Sequence, residues 1–331
     1  MQIMTLLDPL VSALAGVVQK LVSVVLAMMM SSGSFAAPPT DDPIQALRPE
    51  EVQLTFTATG DSQINAFNYN HVYLDLMLQD IDNAVTSQDA FLIAGDITEN
   101  SLTAEWDMLK ELFGKYNYGE NLIWATGNHD IRLRDYEESL DRFTSTYNEI
   151  TGGELDSMSY TMEINGYTFV VMGSDKTVME EAYISEEQLD WLDASLAEAT
   201  ANGKPVFVVL HQPLKKSHGL PIPWGNGTNA NAGHVGDQSE DIQAVLDSYK
   251  NVIFITGHLH LGMGQYTYEK IGENIHAVNV PAIGKNNADG DYNEFSTGYS
   301  VEVYENEVIF RARDYANGKY LPEYDITIPV V

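Results

Sequence analysis

The stretch NLIWATGNHD, residues 121–130, decides the fold, because an apolar run stops there at an amide, an imidazole and a carboxylate. Residues 122–125 are all apolar, which is typical of a strand that is buried on both faces. Gly127 comes next but one, followed by Asn128, His129 and Asp130. Polar side chains at the end of a buried strand indicate either a tight turn or a functional site, and the rest of the chain distinguishes the two.

Four further apolar runs end in the same way. They are VQLTFTATG (52–60), AFLIAG (90–95), PVFVVL (205–210) and NVIFITG (251–257). The polar side chains that follow them are Asp61 and Gln63, Asp96, His211, and His258 with His260. A single Asp or His after a strand is usually a turn or hydrogen-bonding residue, but five such strand ends favour one shared cause.

Helical patterns separate these runs. The clearest covers residues 185–203, with Ser185 as the expected N-cap and Gln188 as its capping-box partner. Alternating strands and helices predict an α/β fold, in which sites lie beyond the carboxyl ends of the strands. Because all the polar strand ends lie at such ends, we expect them to form one composite site.

The donor atoms at these strand ends indicate a metal centre. The candidate ligands are Asp61, Gln63, Asp96, Asn128, His211, His258 and His260. They offer oxygen and imidazole nitrogen but no sulfur, a combination that suits Mn, Fe or Zn. This set is too large for one tetrahedral site but fits two neighbouring divalent or trivalent ions that share a carboxylate. Two such ions about 3.5–4 Å apart would clamp an in-line displacement at phosphorus.

The composition narrows the classes of function. With 48 acidic and 17 basic residues, the 331-residue chain has a net charge of -31, which disfavours nucleic acid as a partner. A small phosphorylated substrate remains compatible with that charge if bound cations reverse the local field. The absence of cysteine excludes disulfides, thiolate nucleophiles and cysteine-ligated zinc.

The N-terminus resembles a targeting segment. Residues 21–30 are apolar, Lys20 precedes them, and Ser34 and Ala36 fit the small-x-small pattern of a cleavage site. We therefore expect residues 1–36 to be an export signal, so that the protein is secreted or associated with the cell envelope. An uncleaved anchor that attaches the chain to the membrane and a buried amphipathic helix are the alternatives. Residues 37–50 are predicted to be a linker, and residues 51–331 the folded domain.

The order of the motifs DSQ, GDITEN, GNHD, HQP and GHLH, which spans residues 61–260, resembles that of the calcineurin-like metallophosphoesterase superfamily. The resemblance implies a four-layer α/β/β/α sandwich of two mixed β-sheets flanked by helices. It also implies a hydrolase of phosphate mono- or diesters that depends on two metals and acts on small phosphorylated metabolites or nucleotides. A metal-bound hydroxide would be the nucleophile.

The resemblance also implies a role for each motif residue. Asp61, Gln63 and His260 would hold the first metal, Asp96 would bridge, and Asn128, His211 and His258 would hold the second. His129 would assist the leaving group as a proton donor, and Asp130 would orient its imidazole. Gln63 departs from the usual first-motif histidine. Its neutral amide oxygen predicts a weaker first site and favours Mn over Zn.

Residues near the ligand motifs are the candidates for substrate contacts. Basic side chains are scarce, yet Arg132 and Arg134 follow GNHD, and Lys215 and Lys216 follow HQP, where they would attract a phosphorylated substrate. The long aperiodic segment 217–237 supplies three further candidates, namely His218, Trp224 and His234. For each, the alternative is an ordinary solvated loop residue. The alternative for the whole protein is a non-catalytic envelope or surface binding protein with a degenerate metal site, against which the retained His129 argues.

Overall fold

The computed structural model describes residues 12–14, 17–18, 42–116, 121–218, 234–284 and 290–331. The predicted export signal or anchor lies outside the described residues except for 12–14 and 17–18, which are helical. Within the described ranges, no helix is both long enough and apolar enough to cross a membrane.

The strand bounds confirm the apolar runs as strands. In chain order the strands are β1 (Leu54–Thr59), β2 (Ala90–Ala94), β3 (Leu122–Ala125), β4 (Tyr160–Ile164), β5 (Tyr167–Val171), β6 (Val206–Val209), β7 (Val252–Thr256), β8 (Tyr268–Ile271), β9 (Ile275–Asn279), β10 (Thr297–Val303), β11 (Glu307–Asp314), β12 (Lys319–Tyr320) and β13 (Ile326–Pro329). The α-helices are α1 (Asn70–Asp82), α2 (Thr103–Lys115), α3 (Asn128–Ile131), α4 (Tyr136–Thr151), α5 (Glu186–Ala199) and α6 (Ser239–Asp247).

The strands form two mixed sheets. The seven-stranded sheet has the order β12-β11-β10-β1-β2-β3, with β13 paired to β11, and the six-stranded sheet has the order β4-β5-β6-β7-β9-β8. In the first sheet β1, β2 and β3 are parallel, and in the second β5, β6, β7 and β9 are parallel. The ligand motifs follow β1, β2, β3, β6 and β7, so within each sheet they extend from the same edge.

Three apolar layers hold the sheets and helices together. Between the sheets, the ring of Phe56 lies edge-on to Phe169 and Phe207, with centroid distances of 5.3 and 5.1 Å. Such aromatic pairs contribute about 0.5–1.5 kcal/mol each beyond their buried area. Helices α1, α2 and α4 cover the outer face of the first sheet, and α5 and α6 cover that of the second. The four-layer α/β/β/α sandwich is therefore confirmed.

The capping box expected at α5 is only half present. The Ser185 hydroxyl accepts the backbone N–H of Gln188 at 3.2 Å, as expected. The Gln188 side chain, however, donates to the carbonyl of Gly173 at 2.9 Å and to Asp175 at 2.7 Å. The backbone N–H of Ser185 donates instead to Asp175 at 2.8 Å. Asp175, ten positions upstream, thus accepts the hydrogen bond that the capping-box pattern assigns to the Gln188 side chain.

Part of the predicted linker contacts the folded domain. Within residues 42–50, Ile44 is buried in the layer beneath α1, and the N–H of Leu47 donates to Glu302 at 2.9 Å. The guanidinium of Arg48 lies over the ring of Tyr304, 3.8 Å from its centroid. This segment thus forms part of the folded unit, which begins before residue 51.

Candidate metal centre

The structure brings five of the predicted metal ligands together beyond the carboxyl ends of β1, β2, β6 and β7. Asp96, His211 and His258 form one group, and Asp61, Asp96 and His260 form another. Within each group the atoms that could bind a metal lie within 4.8 Å of one another. Asp96 belongs to both groups, as a carboxylate that bridges two metal ions would.

The backbone at these strand ends adopts an uncommon conformation. Five of the predicted ligands have φ between 39° and 70°, namely Asp61, Gln63, Asp96, His258 and His260. For residues other than glycine this left-handed region costs roughly 1 kcal/mol or more, and such residues concentrate at functional sites. The turns also support each other, because Asp61 N–H donates to Gly95 O at 3.0 Å and Gln63 N–H to Asp96 O at 2.8 Å.

At two positions only glycine fits, because a side chain would clash with neighbouring atoms and not because the backbone dihedral angles require glycine. A Cβ on Gly127 would lie 2.1 Å from Asp96 Oδ1, and a Cβ on Gly257 would lie 2.7 Å from Asp61 Oδ2. Both distances are shorter than real Cβ contacts. The glycines of GNHD and GHLH therefore allow neighbouring loops to approach the two carboxylates.

The carboxylates are buried and surrounded by donors. Asp61 accepts the backbone N–H of His258 at 3.0 Å, and Asp96 accepts that of His129 at 2.8 Å. Burial by itself would raise the pKa of Asp96, but the charge of His211, 3.3 Å away, together with His129 and His258, holds it below its usual range. The buried carboxylate of Asp96 is thus ionised, and its negative charge at the junction of the two groups favours cation binding.

His211 is oriented by the backbone. Its Nδ1 lies 2.7 Å from the carbonyl oxygen of Ala94, so Nδ1 carries the proton and Nε2 points toward Asp96. Metal-binding histidines characteristically donate their second nitrogen in this way. Burial lowers the pKa of His211, but Asp96 and Asp61 raise it to about 9. His258 Nδ1 lies 3.1 Å from His211 Nε2, so the two rings direct nitrogens at the same point.

Asn128 supplies an independent sign of a missing partner. Its side chain is buried, and its Oδ1 makes no hydrogen bond. Buried polar atoms rarely lack a partner. On one side of Asn128 the backbone N–H of His129 donates to Asp96 Oδ1 at 2.8 Å, and on the other a Cβ on Gly127 would clash with the same atom, so the Asn128 backbone runs beside the shared carboxylate while its own Oδ1 stays unbonded. A metal ion would satisfy it, and the donor set therefore fits the metal centre that the sequence predicts.

His129 is held by Glu99 and Arg132. Its Nδ1 lies 2.8 Å from the backbone oxygen of Glu99 and 3.0 Å from Arg132 NH2, while Nε2 is 3.8 Å from Asp96 Oδ2. A carbonyl can only accept and a guanidinium can only donate, so these two contacts belong to different protonation states of Nδ1. Burial lowers the pKa of His129, but Glu99 and Asp96 raise it above its usual value.

Asp130, which was predicted to orient the imidazole of His129, accepts its hydrogen bonds from other residues. Its carboxylate accepts the backbone N–H groups of Ile97 at 3.1 Å, Thr98 at 2.8 Å and Gly127 at 2.9 Å, and makes no hydrogen bond to His129. The physical reason is that residues 128–131 form a helical turn, in which adjacent side chains point in different directions. Asp130 instead joins the GDITEN loop to the GNHD loop.

The basic residues after GNHD are engaged within the protein. Arg132 contacts His129 and lies 3.4 Å from Glu180 Oε1. Arg134, which we expected to attract substrate, is 1% exposed and donates to the carbonyl of Ser101 at 2.7 Å. Arg132 therefore lies next to the site, whereas Arg134 has a structural position.

Among the remaining candidates for substrate contacts, Lys215 lies in a separate groove and two histidines are buried. Lys215 lines a groove between α6 and β8 that contains none of the predicted metal ligands. His218 is buried and its Nδ1 donates to the carbonyl of Tyr266 at 2.9 Å, and burial lowers its pKa to about 4. His234 is buried as well. Trp224 lies outside the described residues.

Sequence reasoning missed two acidic residues at the site. Glu99 contacts His129, and Glu180 Oε2 accepts the side-chain N–H of Asn128 at 3.1 Å. Glu99 lies within the motif GDITEN, and its closeness to Asp96 in the sequence was the only signal that could have indicated a role. Glu180 follows no strand and is one of 48 acidic residues, so nothing in the sequence marks it.

Comparison with known proteins agrees with this geometry. Residues 54–262 match the family model described as calcineurin-like phosphoesterase. The cAMP/cGMP dual specificity phosphodiesterase of Mycobacterium tuberculosis is 23% identical over 219 residues, which cover 64% of this chain and 63% of that protein. A probable glycerophosphodiester phosphodiesterase of Arcobacter nitrofigilis is 25% identical over 183 residues, covering 54% of this chain and 59% of the relative. The matched part is thus less than two thirds of either relative.

Solved structures share the fold at lower identity. A dimetal phosphatase from Danio rerio has a TM-score of 0.58 at 15% identity and covers 85% of this chain and 100% of its own. A purple acid phosphatase from yellow lupin has the same TM-score at 13% identity and covers 85% of this chain and 54% of its own. At these identities the likeness establishes the fold alone.

Proposed function

Because the chain belongs to the calcineurin-like phosphoesterase family, we propose that it hydrolyses small phosphodiesters with the help of two bound metal ions. The observation that carries this proposal is the position of Asp96 in both groups of potential metal ligands. When bound, two ions supply Lewis acidity toward the phosphate ester and toward water. The oxygen and imidazole donors suit Mn, Fe or Zn.

Diesters are favoured over monoesters by the relatives. Both curated relatives described above are named as phosphodiesterases, one for cyclic nucleotides and one for glycerophosphodiesters. A net charge of -31 argues against polymeric nucleic acid as the substrate, because long phosphate backbones require clustered basic residues. The substrate that fits both observations is a small soluble diester.

Exposed aromatic side chains favour a substrate that carries a ring. Phe67 and Tyr69 are 66% and 61% exposed. Between them, the Asn68 side chain donates to the backbone oxygen of Gln63 at 3.2 Å, which fixes this segment beside the first-metal motif. Stacking of a nucleobase on an aromatic side chain contributes about 1–3 kcal/mol. We therefore favour nucleotide diesters over glycerophosphodiesters.

His129 is the residue that would handle the proton. With Nδ1–H bonded to the Glu99 carbonyl, Nε2 is the nitrogen directed at the space beside Asp96. A proton on Nε2 would pass to the departing ester oxygen, and the neutral ring would keep its bond to Glu99. Arg132, 3.0 Å from Nδ1, limits the positive charge that the ring can hold.

Turnover of defined substrates tests the proposal. The protein should be stripped of metal, reloaded with Mn, and assayed on bis(p-nitrophenyl) phosphate, p-nitrophenyl phosphate, 3′,5′-cyclic AMP and glycerophosphocholine. We expect metal-dependent hydrolysis, with kcat/KM higher for the diesters and highest among natural compounds for the nucleotide. Two bound metals without any turnover would instead support the non-catalytic binding protein.

A further inference from the structure

The side-chain amide of Asn128 occupies nearly the same space when its oxygen and nitrogen are exchanged by a flip. Its hydrogen-bonding neighbours therefore determine which orientation it adopts. Its Nδ2 donates to Glu180 Oε2 at 3.1 Å, while Oδ1 is buried without a hydrogen bond. A carboxylate can only accept, so Glu180 favours the orientation that points the amide nitrogen away from the metal side. In the flipped orientation an NH2 group would face the metal and a carbonyl oxygen would face the Glu180 carboxylate, and both contacts would be repulsive.

The second oxygen of Glu180 reaches the other half of the site. Glu180 Oε1 lies 3.4 Å from Arg132 NH1, and Arg132 NH2 lies 3.0 Å from Nδ1 of His129. One carboxylate therefore lies between a predicted metal ligand and the predicted proton donor. A displacement of Glu180 would affect both.

The backbone of Glu180 is held by a residue adjacent to one of the predicted metal ligands. Gln212, the neighbour of His211, donates its side-chain N–H to the backbone oxygens of Glu180 and Glu181, both at 3.2 Å. The Glu180 side chain is 40% exposed, so its ion pair with Arg132 adds little to stability. Its removal should leave the fold intact, which makes its effect on the site measurable.

We propose that Glu180 is a positioning residue that holds the Asn128 oxygen toward the second metal and links this ligand to His129 through Arg132. The proposal rests on the proposed function only in assuming that metals bind here. Hydrogen-bond partners of metal ligands typically contribute 10–100-fold in metal affinity or activity. We therefore expect Glu180→Ala to weaken the affinity of one of the two Mn sites by about that factor.

The proposal can be tested without any substrate by titrating the full chain with Mn alone. Calorimetry and electron paramagnetic resonance would monitor the binding. Glu180→Gln can still accept from Asn128 through its amide oxygen, so it should restore most of the Mn affinity lost in Glu180→Ala. Glu187→Ala is the matched control, because it removes an exposed acidic side chain from the first turn of α5. It should bind Mn as the parent does.

The outcomes separate this inference from the proposed function. Parent-like Mn affinity in Glu180→Ala would overturn the positioning role of Glu180. Equal losses of Mn affinity in Glu180→Ala and Glu180→Gln would overturn it too, because they would show that the charge of Glu180, and not its hydrogen bond to Asn128, supports Mn binding. A parent protein that binds fewer than two Mn ions would overturn it as well. If the parent binds two Mn ions but hydrolyses no phosphoester, the proposed function fails, while the affinities of the variants still decide the role of Glu180.

Discussion

Gly127→Ala places one methyl group against the carboxylate on which the whole site depends. The new Cβ would lie 2.1 Å from Asp96 Oδ1 and 2.4 Å from the Asp96 backbone nitrogen. Contacts below 3.0 Å are essentially absent from real structures, so Asp96 must move by about 1 Å. The φ of Gly127 is -105°, which any residue can adopt, so the effect would come from the contact alone.

The expected loss of activity in Gly127→Ala follows from how little a metal site tolerates changes in ligand position. Ligand distances normally vary by only about 0.2 Å, and a misplacement of about 1 Å costs roughly 100-fold in activity. We expect Gly127→Ala to lose at least 100-fold in kcat/KM and to release metal on dialysis. Overpacking should also lower the free energy of unfolding by about 1–3 kcal/mol, which leaves the protein folded.

Gly114→Ala provides the control, because a Cβ at this position in α2 has no neighbour within 4 Å. It should stabilise the protein by up to about 1 kcal/mol, since glycine is a poor helix former, and it should leave metal binding unchanged. Metal content after dialysis, thermal unfolding and turnover would be measured for both variants. A Gly127→Ala protein that retains two tightly bound metals and parent-like turnover would refute the reasoning.

Three further substitutions test separate parts of the site and of the fold. His129→Ala should retain the metals but lower turnover by roughly 10²–10⁴, and less so for p-nitrophenyl esters; equal losses for alkyl and nitrophenyl esters would remove His129 from the acid role. Gln63→His should tighten the weaker metal site and shift its preference toward Zn, and unchanged calorimetric titrations would contradict this. Burial raises the pKa of Glu105 from 4.5 to about 7, so its folded form keeps a proton that the unfolded chain releases, and stability should fall as the pH rises between these values. In Glu105→Gln, the decrease in the free energy of unfolding over this pH range, measured by urea unfolding, should be smaller by up to about 3 kcal/mol. A pH dependence parallel to the parent's would show that Glu105 is not its source.

The strand ends were predictable because two signals coincide there. A continuous apolar run identifies a strand buried on both faces, and the polar residues after it lie at the edge where α/β folds place their sites. Asp61, Asp96, His211, His258 and His260 all follow such runs, and the structure brings them together. The order of the motifs also identified the sandwich fold.

The contacts around the ligands were not predictable, because they depend on loops and on side-chain direction. Asp130 is adjacent to His129 in the chain but points elsewhere within the same helical turn. Glu180 reaches Asn128 across 52 residues of sequence. His218 has a φ of 56°, and its side chain is buried, which a Gly- and Asn-rich segment does not reveal.

The central feature of the proposed metal centre is one carboxylate that serves two metal ions. Asp96 is the residue common to the two groups of potential ligands, and Asp96→Asn removes its charge while keeping its size. Mn titration by calorimetry, with electron paramagnetic resonance to detect a spin-coupled pair, measures the consequence. We predict two Mn ions and a coupled signal in the parent, and in Asp96→Asn the loss of tight binding at both sites together with nearly all turnover. Two tightly bound, coupled Mn ions with parent-like turnover in Asp96→Asn would contradict the account.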